Sequence, residues 1–248
     1  MSYYDREKEI LSVLSEIESI DVHELAARLY VSEPTVRRDL TTMAKKGLVI
    51  RTHGGVTAKV NAADEAFAIS LREQVQGTAK SVIGKKAAAL IHDGSVILMD
   101  GSTSAFSVLP YLAEHKDLIV ITNGAKTSLA LGRMGIKNFS TGGQMINGTM
   151  AYVGRHAEAM VSSVNADLLL FSARGMTEDG SFSDSSIEEN NLRRVMMSRA
   201  KRRVMLLDSS KLGKAYLDVL CRAEDVTDLV CEKALPLSLT EKIGGKRL

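Results

Sequence analysis

The chain has 248 residues, a net charge of +2 and a hydrophobic content of 45%, enough for two domains that each bury a core. Two cysteines, Cys221 and Cys231, are too few for a disulfide framework, and we predict two buried thiols. No run approaches the roughly 20 apolar residues of a membrane span, and no apolar signal segment follows Met1, so we expect a cytoplasmic protein without a membrane partner.

The N-terminal region predicts two short helices. Apolar residues at helical spacing between Ile10 and Ile17 predict a first helix from about residue 5 to residue 18. A short break follows at residues 19–20. Asp21 is then placed to cap a second helix, with Glu24 at the capping-box position.

The stretch from Ser32 to Lys46 follows a tight turn at residues 30–32 and has the pattern of a helix that addresses DNA. Ser32 is the predicted N-cap, because a serine hydroxyl accepts a first-turn amide, and Gly47 is the predicted C-cap. One face is apolar and is expected inside the domain: Val36, Leu40 and Met43. The opposite face presents the short hydroxyls and guanidiniums that base edges and phosphates accept: Thr35, Arg37, Arg38 and Thr41.

The segment after this helix predicts a β-hairpin. Residues 48–52 are rich in strand formers, Gly54-Gly55 predicts a turn, and residues 56–57 return. Such a hairpin is the wing of a winged helix, and Arg51 and His53 stand where a wing meets phosphate or the minor groove. His53 is equally compatible with an ordinary surface turn.

Charge is unevenly distributed over this region. Residues 1–27 hold two basic and seven acidic residues, whereas residues 28–59 hold seven basic and two acidic ones. The basic half contains the proposed recognition helix, as an electrostatic footprint on DNA requires. Two solvated helix faces of different charge would give the same counts, and it is the helix pattern beside them that favours DNA.

These residues resemble a known family. Residues 32–40, Ser-Glu-Pro-Thr-Val-Arg-Arg-Asp-Leu, followed by a His-Gly-Gly wing at residues 53–55, resemble the DeoR family of bacterial winged-helix regulators. The resemblance implies that Thr35, Arg37 and Arg38 face DNA. Asp39 is expected to orient an arginine, since phosphate repels a carboxylate. The expected domains are a winged helix-turn-helix DNA-binding domain over residues 1–60, a linker over residues 61–76 and an effector-sensing domain over residues 77–248.

The larger C-terminal region alternates between helix and strand patterns, which predicts a mostly parallel α/β sheet. The predicted helices cover residues 79–91, 105–113, 126–133, 155–163 and 187–199. The predicted strands cover residues 95–99, 118–122, 138–140, 167–172, 203–207 and 226–231.

Polar and glycine clusters follow several of these strands, and parallel sheets bind ligands at the carboxyl ends of their strands. One cluster offers amides, hydroxyls and a helix N-terminus to an anion: Asp100, Gly101, Ser102, Thr103 and Ser104. Thr122-Asn123 and Gly142-Gly143 form two further loops, and Lys211 can supply a point charge for phosphate. Each cluster alone is equally well explained as a turn. Together they predict a small, anionic, hydroxylated ligand such as a phosphorylated sugar.

The resemblance to the DeoR family continues through this region and implies a sensor domain with a fold of the ribose-5-phosphate-isomerase type. The family's motifs match at residues 100–104, 122–123, 142–143 and 208–213, and an altered helix motif matches at residues 189–194. By this resemblance the effector site also includes Glu189, Arg193, Asp208 and Lys211.

Two departures from the family pattern allow a different effector. Ser104 replaces the usual threonine, and residues 171–175 replace a more glycine-rich loop. Arg174, in that loop, either adds an anion contact or pairs with Glu178 or Asp179. The basic run from Arg193 to Arg203 lines the effector site, contacts DNA or forms a solvated face. We favour the face, with Arg193 as the exception.

The sequence favours a ligand-responsive DNA-binding regulator without enzymatic activity, and the resemblance favours a repressor of carbohydrate metabolism genes. The expected partners are a double-stranded DNA operator, a small phosphorylated sugar and further copies of the chain in a dimer or tetramer, because helix-turn-helix proteins read paired half-sites. We expect no cofactor, and the spacing of the five histidines predicts no metal site. The alternatives are a sugar-phosphate isomerase with a DNA-binding appendage, and an adaptor whose winged helix binds protein.

Overall fold

The computed structural model describes residues 2–17, 19–46, 48–52, 54–58 and 77–235. The chain divides into two units, residues 1–75 and residues 76–248. Gly47, His53 and the predicted linker at residues 61–76 lie outside the described residues. Within the described ranges, no helix is both long and apolar enough to cross a bilayer.

The N-terminal unit combines helices with a small antiparallel sheet. Its described helices are α1 (Tyr3–Glu16), α2 (Val22–Leu29) and α3 (Glu33–Lys45), and its described strands are β1 (Ser19–Asp21), β2 (Val49–Arg51) and β3 (Gly55–Ala58). The predicted helices and hairpin are confirmed. Residues 19–20, predicted as a break, instead begin a strand, because β3 pairs with β1 along one edge and with β2 along the other.

Two predicted helix caps differ from the structure. Ser32 stands at the N-cap of α3, but among the described residues its Oγ lies 2.9 Å from Thr35 Oγ1 and caps no first-turn amide. Asp21 caps α2 by accepting from His23 N at 2.7 Å, as predicted. Glu24 pairs with Arg28 at 2.8 Å one turn along instead of completing a capping box.

Apolar side chains from all three helices form the core of this unit. Ile10 of α1 and Leu25 of α2 meet Val36, Leu40 and Met43 of α3, and all five are fully buried. The predicted inner face of α3 is therefore confirmed. Burying one face of a helix leaves its opposite face to solvent, and this orientation exposes the basic face of α3.

The C-terminal unit begins at α4 (Gly77–Ala88) and alternates strands with helices. Its further described helices are α5 (Thr103–Phe106), α6 (Leu109–Leu112), α7 (Ala125–Arg133), α8 (Arg155–Ser162) and α9 (Ile187–Arg199). Its main strands are β4 (Val96–Met99), β5 (Ile119–Thr122), β6 (Lys137–Ser140), β9 (Ala166–Phe171), β12 (Ala200–Leu206) and β14 (Asp228–Val230). The single helix predicted over residues 105–113 is instead divided between α5 and α6, with Pro110 in the first turn of α6.

These six strands form one parallel sheet in the order β14-β12-β9-β4-β5-β6, which confirms the predicted α/β fold. In chain order, β4, β5 and β6 are added successively towards one edge of the sheet. The next strand of this sheet, β9, pairs with the opposite side of β4, and β12 and β14 continue from there to the other edge. The order therefore reverses between β4 and β9. In open parallel sheets, a crevice opens beyond the carboxyl ends of the two strands at such a switch point.

Both faces of the sheet are covered. Leu98, Leu169 and Phe171 lie in the cluster that includes side chains of α8 and α9, whereas Ile97 and Leu170 lie in the cluster that includes side chains of α4 to α6. Strands buried on two sides have near-continuous apolar sequences, and this is why they were predictable. The two predicted buried thiols are confirmed, because Cys221 and Cys231 are free and buried.

In the described part of the C-terminal unit, five short strands were not predicted. β7 (Gln144–Ile146) and β8 (Ala151–Val153) form a hairpin, and β10 (Gly175–Met176), β11 (Ser181–Asp184) and β13 (Asp218–Arg222) form a separate antiparallel sheet. These strands are antiparallel and lie outside the six-stranded parallel sheet, whose strands were predicted from their apolar runs. Their pairing is set by neighbouring elements.

Candidate functional site

A partly buried ion pair joins the recognition helix α3 to α1. Asp39 faces the interior with Val36 and Leu40, and its carboxylate accepts from Arg6 Nε at 2.6 Å and from Arg6 Nη2 at 3.1 Å. The hydrogen bond to Asp39 raises the pKa of Arg6. The prediction that Asp39 orients an arginine is confirmed, and that arginine belongs to α1.

The outer face of α3 carries the predicted DNA-binding side chains. Arg37 and Arg38 are exposed, and Arg37 Nη2 lies 3.2 Å from Glu33 Oε2 one turn earlier. The Arg38 guanidinium has no hydrogen bond or ion pair with any other described residue. Thr35 is half-buried and contacts Ser32 as described above. These guanidiniums are available to an external anion.

The wing is attached to this face through Arg51. Arg51 ends β2, and its Nη1 donates to Thr41 Oγ1 of α3 at 3.0 Å. The same Thr41 hydroxyl donates to the carbonyl of Arg37 at 2.7 Å. Thr41 and Arg51 therefore connect the wing to the recognition helix. The prediction for His53 falls outside the described residues.

In the C-terminal unit, Asp100 joins the two strands at the switch point. It follows β4 directly and is 1% exposed. Its Oδ1 accepts from the amide of Ser102 at 3.1 Å, and its Oδ2 accepts from the amide of Ser172, just beyond β9, at 3.2 Å. Oδ2 also accepts from Arg193 Nε at 3.0 Å. One carboxylate thus holds both loops of the crevice and a helix side chain.

Arg193 of α9 is buried among three carboxylates. Its guanidinium donates to Asp100 at 3.0 Å, to Asp184 at 3.0 Å and to Glu189 at 2.9 Å, and also to Asn190 Oδ1 at 3.0 Å. Burial by itself lowers the pKa of Arg193, but the charges of Asp100, Glu189 and Asp184 outweigh it and raise that pKa. These bonds commit the guanidinium to the protein's own carboxylates.

Lys211 supplies a second cation at the same crevice, with different partners. Its Nζ donates to Ser172 Oγ at 2.9 Å and to Ser104 Oγ at 3.4 Å, and lies 3.6 Å from Asp208 Oδ2. Burial lowers the pKa of Lys211, and the charges of Asp208 and Asp100 oppose that shift. The ammonium therefore has two neutral hydroxyls as its hydrogen-bond partners.

The loop after β5 lies beside that after β4. A Cβ on Gly124 would stand 3.0 Å from the Gly101 Cα, so these two loops pack against each other through their glycines. Asn123 is 3% exposed, and its Nδ2 donates to the Tyr152 carbonyl at 3.0 Å. Its Oδ1 is buried without a hydrogen-bond partner among the described residues. An unsatisfied buried acceptor at the end of a strand is what a ligand hydroxyl can satisfy.

Three further predicted site residues are Thr122 at the end of β5, and Gly142 and Gly143 after β6. Thr122 is buried, and its Oγ1 accepts from the Gly124 amide at 3.0 Å. Gly143 has φ +111°, and a Cβ there would lie 2.5 Å from the Val153 carbonyl oxygen, so close approach to β8 requires this glycine. Gly142, with φ +61°, faces open space.

Arg174 extends the charged cluster outward. Its Nε lies 3.6 Å from Asp184 Oδ1, and its guanidinium lies 5.6 Å from the centre of the Tyr216 ring. Asp179, one of its predicted partners, instead accepts from Ser181 Oγ at 2.9 Å. Arg174 thus reaches the switch-point cluster through Asp184.

Three members of the basic run after Arg193 pair with local carboxylates. Arg194 pairs with Asp218, Lys201 with Asp167 and Arg202 with Asp228, at N···O distances from 2.7 to 2.9 Å. This agrees with a solvated, paired face for most of the run. Among the described residues, no group of three or more His, Cys, Asp or Glu side chains is placed to hold a metal ion.

Sequence reasoning missed two members of the cluster. Ser172 had been noted only as part of a loop that departs from the family pattern, yet it contacts both Asp100 and Lys211. Asp184 lies at the end of β11, a strand that was not predicted. The position of Ser172 at the end of a predicted strand was the one available signal.

Comparison with known protein families decides which family this is. A DeoR-like helix-turn-helix domain matches residues 6–61, and a DeoR C-terminal sensor domain matches residues 75–233. The chain belongs to the DeoR family. The DeoR helix-turn-helix match contains α3 and the wing, and the DeoR sensor match contains the Asp100–Arg193–Lys211 cluster.

Named relatives in this family cover nearly the whole chain. The L-fucose operon activator of Haemophilus influenzae is 30% identical and matches 94% of this chain and 94% of its own length. A lactose phosphotransferase system repressor of Staphylococcus epidermidis is 30% identical, over 94% of this chain and 93% of its own. The HTH-type transcriptional regulator GolR of Listeria innocua is 28% identical, over 96% and 94%.

Solved structures resemble the DeoR-family chain in fold. The Pyrococcus horikoshii translation initiation factor eIF-2B superposes with a TM-score of 0.51, at 14% identity, over 91% of this chain and 86% of its own. Ribose 5-phosphate isomerase A from Methanocaldococcus jannaschii has a TM-score of 0.42 and 16% identity, over 55% of each chain.

Proposed function

We propose that this DeoR-family protein is a sequence-specific DNA-binding transcription regulator whose operator affinity is controlled by a phosphorylated sugar or related small anion. The observation that carries the effector half of this proposal is the environment of Lys211. The ammonium of Lys211, whose side chain is 20% exposed, lies at the switch point of the parallel sheet, where it has two hydroxyls as hydrogen-bond partners and Asp208 at 3.6 Å. An anionic ligand group can replace those neutral partners with a charge-assisted bond.

The rest of the crevice suits the hydroxylated part of such a ligand. The buried Asn123 Oδ1 can accept from a ligand hydroxyl, and the loop at residues 100–104 presents amides and serine hydroxyls. Arg193 contributes indirectly, by holding Asp100 and Glu189 in place. We therefore assign the anion contact to Lys211 and a positioning role to Arg193.

The DNA half of the proposal rests on the exposed basic face of α3. Arg37, Arg38, Thr35 and Thr41 contact bases or phosphates when α3 enters the major groove, and Arg51 supports it from the wing. The relatives' names include both repressors and an activator. For this chain we propose repression, and a dimer or tetramer that places two recognition helices on paired half-sites.

The test is fluorescence anisotropy on DNA from upstream of the protein's own gene, titrated with a panel of sugar phosphates. We expect binding that weakens steeply with salt and that one compound shifts at low concentration. DNA binding that no phosphorylated sugar changes would contradict the effector class. If no DNA is bound at low salt, the regulator function itself fails.

Two lysine substitutions, one at the proposed anion contact and one at a surface control position, make the effector test specific. Lys211→Met should leave DNA binding intact and abolish the response to the effector, because it removes the cation that we assign to the anion contact. Lys201→Met, which removes an exposed lysine paired with Asp167, should leave both unchanged. An unaltered effector response in Lys211→Met would contradict the assigned role.

The isomerase alternative requires a free carboxylate base next to the substrate carbon that loses its proton. Asp100 is bound by two amides and by Arg193, and Asp208 accepts from Ser210 Oγ, so both carboxylates are already engaged. We therefore propose a sensor without turnover. Aldose–ketose phosphate isomerisation at high protein concentration would contradict it.

A further inference from the structure

Tyr30 adopts a backbone conformation that tyrosine rarely takes. It ends α2 with φ 55° and ψ 41°, in the left-handed region. Its amide donates to the carbonyl of Ala27 at 3.3 Å, and the next amide, of Val31, donates to Ala26 at 3.1 Å. This pair of bonds is a Schellman helix ending, and its left-handed position is usually occupied by glycine because a Cβ is unfavourable there.

The side chain is not part of the core formed by the described residues of this unit. The Tyr30 residue is 95% exposed, whereas Val31, next to it, packs against the core of the unit. A glycine at position 30 would make the same turn without the steric penalty. A costly conformation kept by a residue with no packing role points to a role outside the folded chain.

The position of this turn indicates what that role is. Tyr30 lies two residues before Ser32, the N-cap of α3. The N-terminal end of a recognition helix enters the major groove, so the turn that precedes it runs beside the sugar–phosphate backbone. Tyrosine hydroxyls are among the groups that donate to phosphate oxygens in protein–DNA complexes. Ser32, the other hydroxyl in this turn, is already bonded to Thr35.

We propose that Tyr30 is a DNA-binding residue whose phenol hydroxyl donates a hydrogen bond to a backbone phosphate next to the recognition helix. The proposal rests on the proposed DNA-binding function and extends it to a residue outside the basic face of α3. The contact reads no base, so it contributes equally on any DNA sequence. It carries no charge, so it releases no counterion.

The test uses the full-length chain and a fluorescein-labelled, random-sequence duplex, with anisotropy measured over a series of salt concentrations. Tyr30→Phe, which removes only the hydroxyl, should weaken binding roughly three- to tenfold, the effect of one lost hydrogen bond. The slope of log K against log salt should stay unchanged, because a neutral donor is lost. Tyr4→Phe, at an exposed tyrosine of α1, is the matched control and should bind like the wild type.

Tyr30→Gly separates binding from folding. It should raise the melting temperature by roughly 2–6 °C, because glycine accepts the left-handed turn, and still weaken DNA binding at least as much as Tyr30→Phe. A structural role for the ring would move stability and affinity in the same direction. If DNA affinity falls only in those Tyr30 variants whose melting temperature also falls, the proposal is overturned.

The failure of this proposal and that of the proposed function are distinguishable. If the wild type binds the duplex, Arg38→Ala weakens it and Tyr30→Phe does not, only the role of Tyr30 is overturned. If the wild type does not bind the duplex at low salt, DNA binding itself is refuted, and Tyr30 with it.

Discussion

The two units use arginine in opposite ways. Arg37 and Arg38 on α3 are exposed, and Arg37 is held by a single carboxylate at 3.2 Å. Arg193 is 5% exposed and donates to three carboxylates. A surface guanidinium stays hydrated and can exchange water for phosphate. A buried one has lost its water, so removing its partners leaves an uncompensated charge.

This difference separates binding from positioning. Substituting the exposed arginines should change affinity for DNA and leave folding alone, whereas substituting the buried one should change folding first. It also shows why Lys211 differs from Arg193 in the same crevice. Lys211 is a partly buried cation whose hydrogen-bond partners are neutral hydroxyls, and this is why we propose it as the contact for an incoming anion.

The largest effect is expected at Arg193. Arg193→Met should destabilise the C-terminal unit by about 3–5 kcal/mol, because three carboxylates lose their buried partner. Urea unfolding of the full-length protein measures this loss. Arg194→Met, at the half-exposed neighbour paired with Asp218, is the control and should cost much less. Equal losses in the two variants would remove the distinction between buried and exposed arginines.

The next effect is on DNA binding. Arg37→Ala combined with Arg38→Ala should weaken binding roughly 10- to 100-fold and lower the slope of log K against log salt by about 2, one for each phosphate contact. The melting temperature should stay near that of the wild type. An unchanged salt slope would show that this face does not meet phosphate.

Burial should also control ionisation in the C-terminal unit. Burial raises the pKa of Cys221 from 9.0 to about 12, so the folded state keeps a proton that the unfolded state loses. This thiol's contribution to stability is therefore present below pH 9.0 and lost as pH rises toward about 12. Cys221→Ala should remove about 2 kcal/mol of the alkaline decline between pH 8 and pH 10.5.

Urea unfolding at those two pH values, for the wild type and each variant, measures this change. Cys231→Ala is the companion variant, since burial raises the pKa of that thiol only to about 11. It should flatten the decline by no more than Cys221→Ala does. A decline that is the same in the wild type and Cys221→Ala would show that the thiol ionises alike in both states.

The smallest expected effect concerns Glu33, the carboxylate of α3 that pairs with Arg37. Hydrogen bonds from His23 and Arg37 lower the pKa of Glu33, so this carboxylate is ionised at neutral pH and competes with phosphate for Arg37. Glu33→Gln should tighten DNA binding about two- to fivefold. Glu24→Gln, which breaks the surface pair with Arg28 on α2, should have no comparable effect. Weaker binding by Glu33→Gln would indicate that Glu33 itself contacts DNA.

Much of the fold was predictable where burial produces a periodic sequence. Helix α9 was predicted with its observed ends, and β5 and β9 within one residue, because strands and helices around a parallel sheet need continuous apolar faces. The inner face of α3 followed in the same way. Short antiparallel strands such as β10 and β11 were not predicted, since their pairing is set by the elements around them.

The sequence predicted which residues belong to the candidate site, but not which of them contact one another. Asp100, Lys211 and Arg193 were all named, but as equal contacts for one ligand. The structure gives them different partners, because Asp184 and Glu189 surround Arg193, whereas Lys211 bonds to a hydroxyl. Asp184 follows no motif, and it lies next to Arg193 only after β11 has paired with β13.

The sequence by itself determined which segments fold as helices and strands, the basic face of α3 and the positions of the polar loops after the strands. These depend on the spacing of residues along one segment, and spacing is fully contained in the chain. The tertiary structure decided which charges pair, which of two cations has hydroxyls as its hydrogen-bond partners, and that Tyr30 stands exposed in a left-handed turn. Such properties depend on burial and on partners far apart in sequence, and these exist only once the chain has packed.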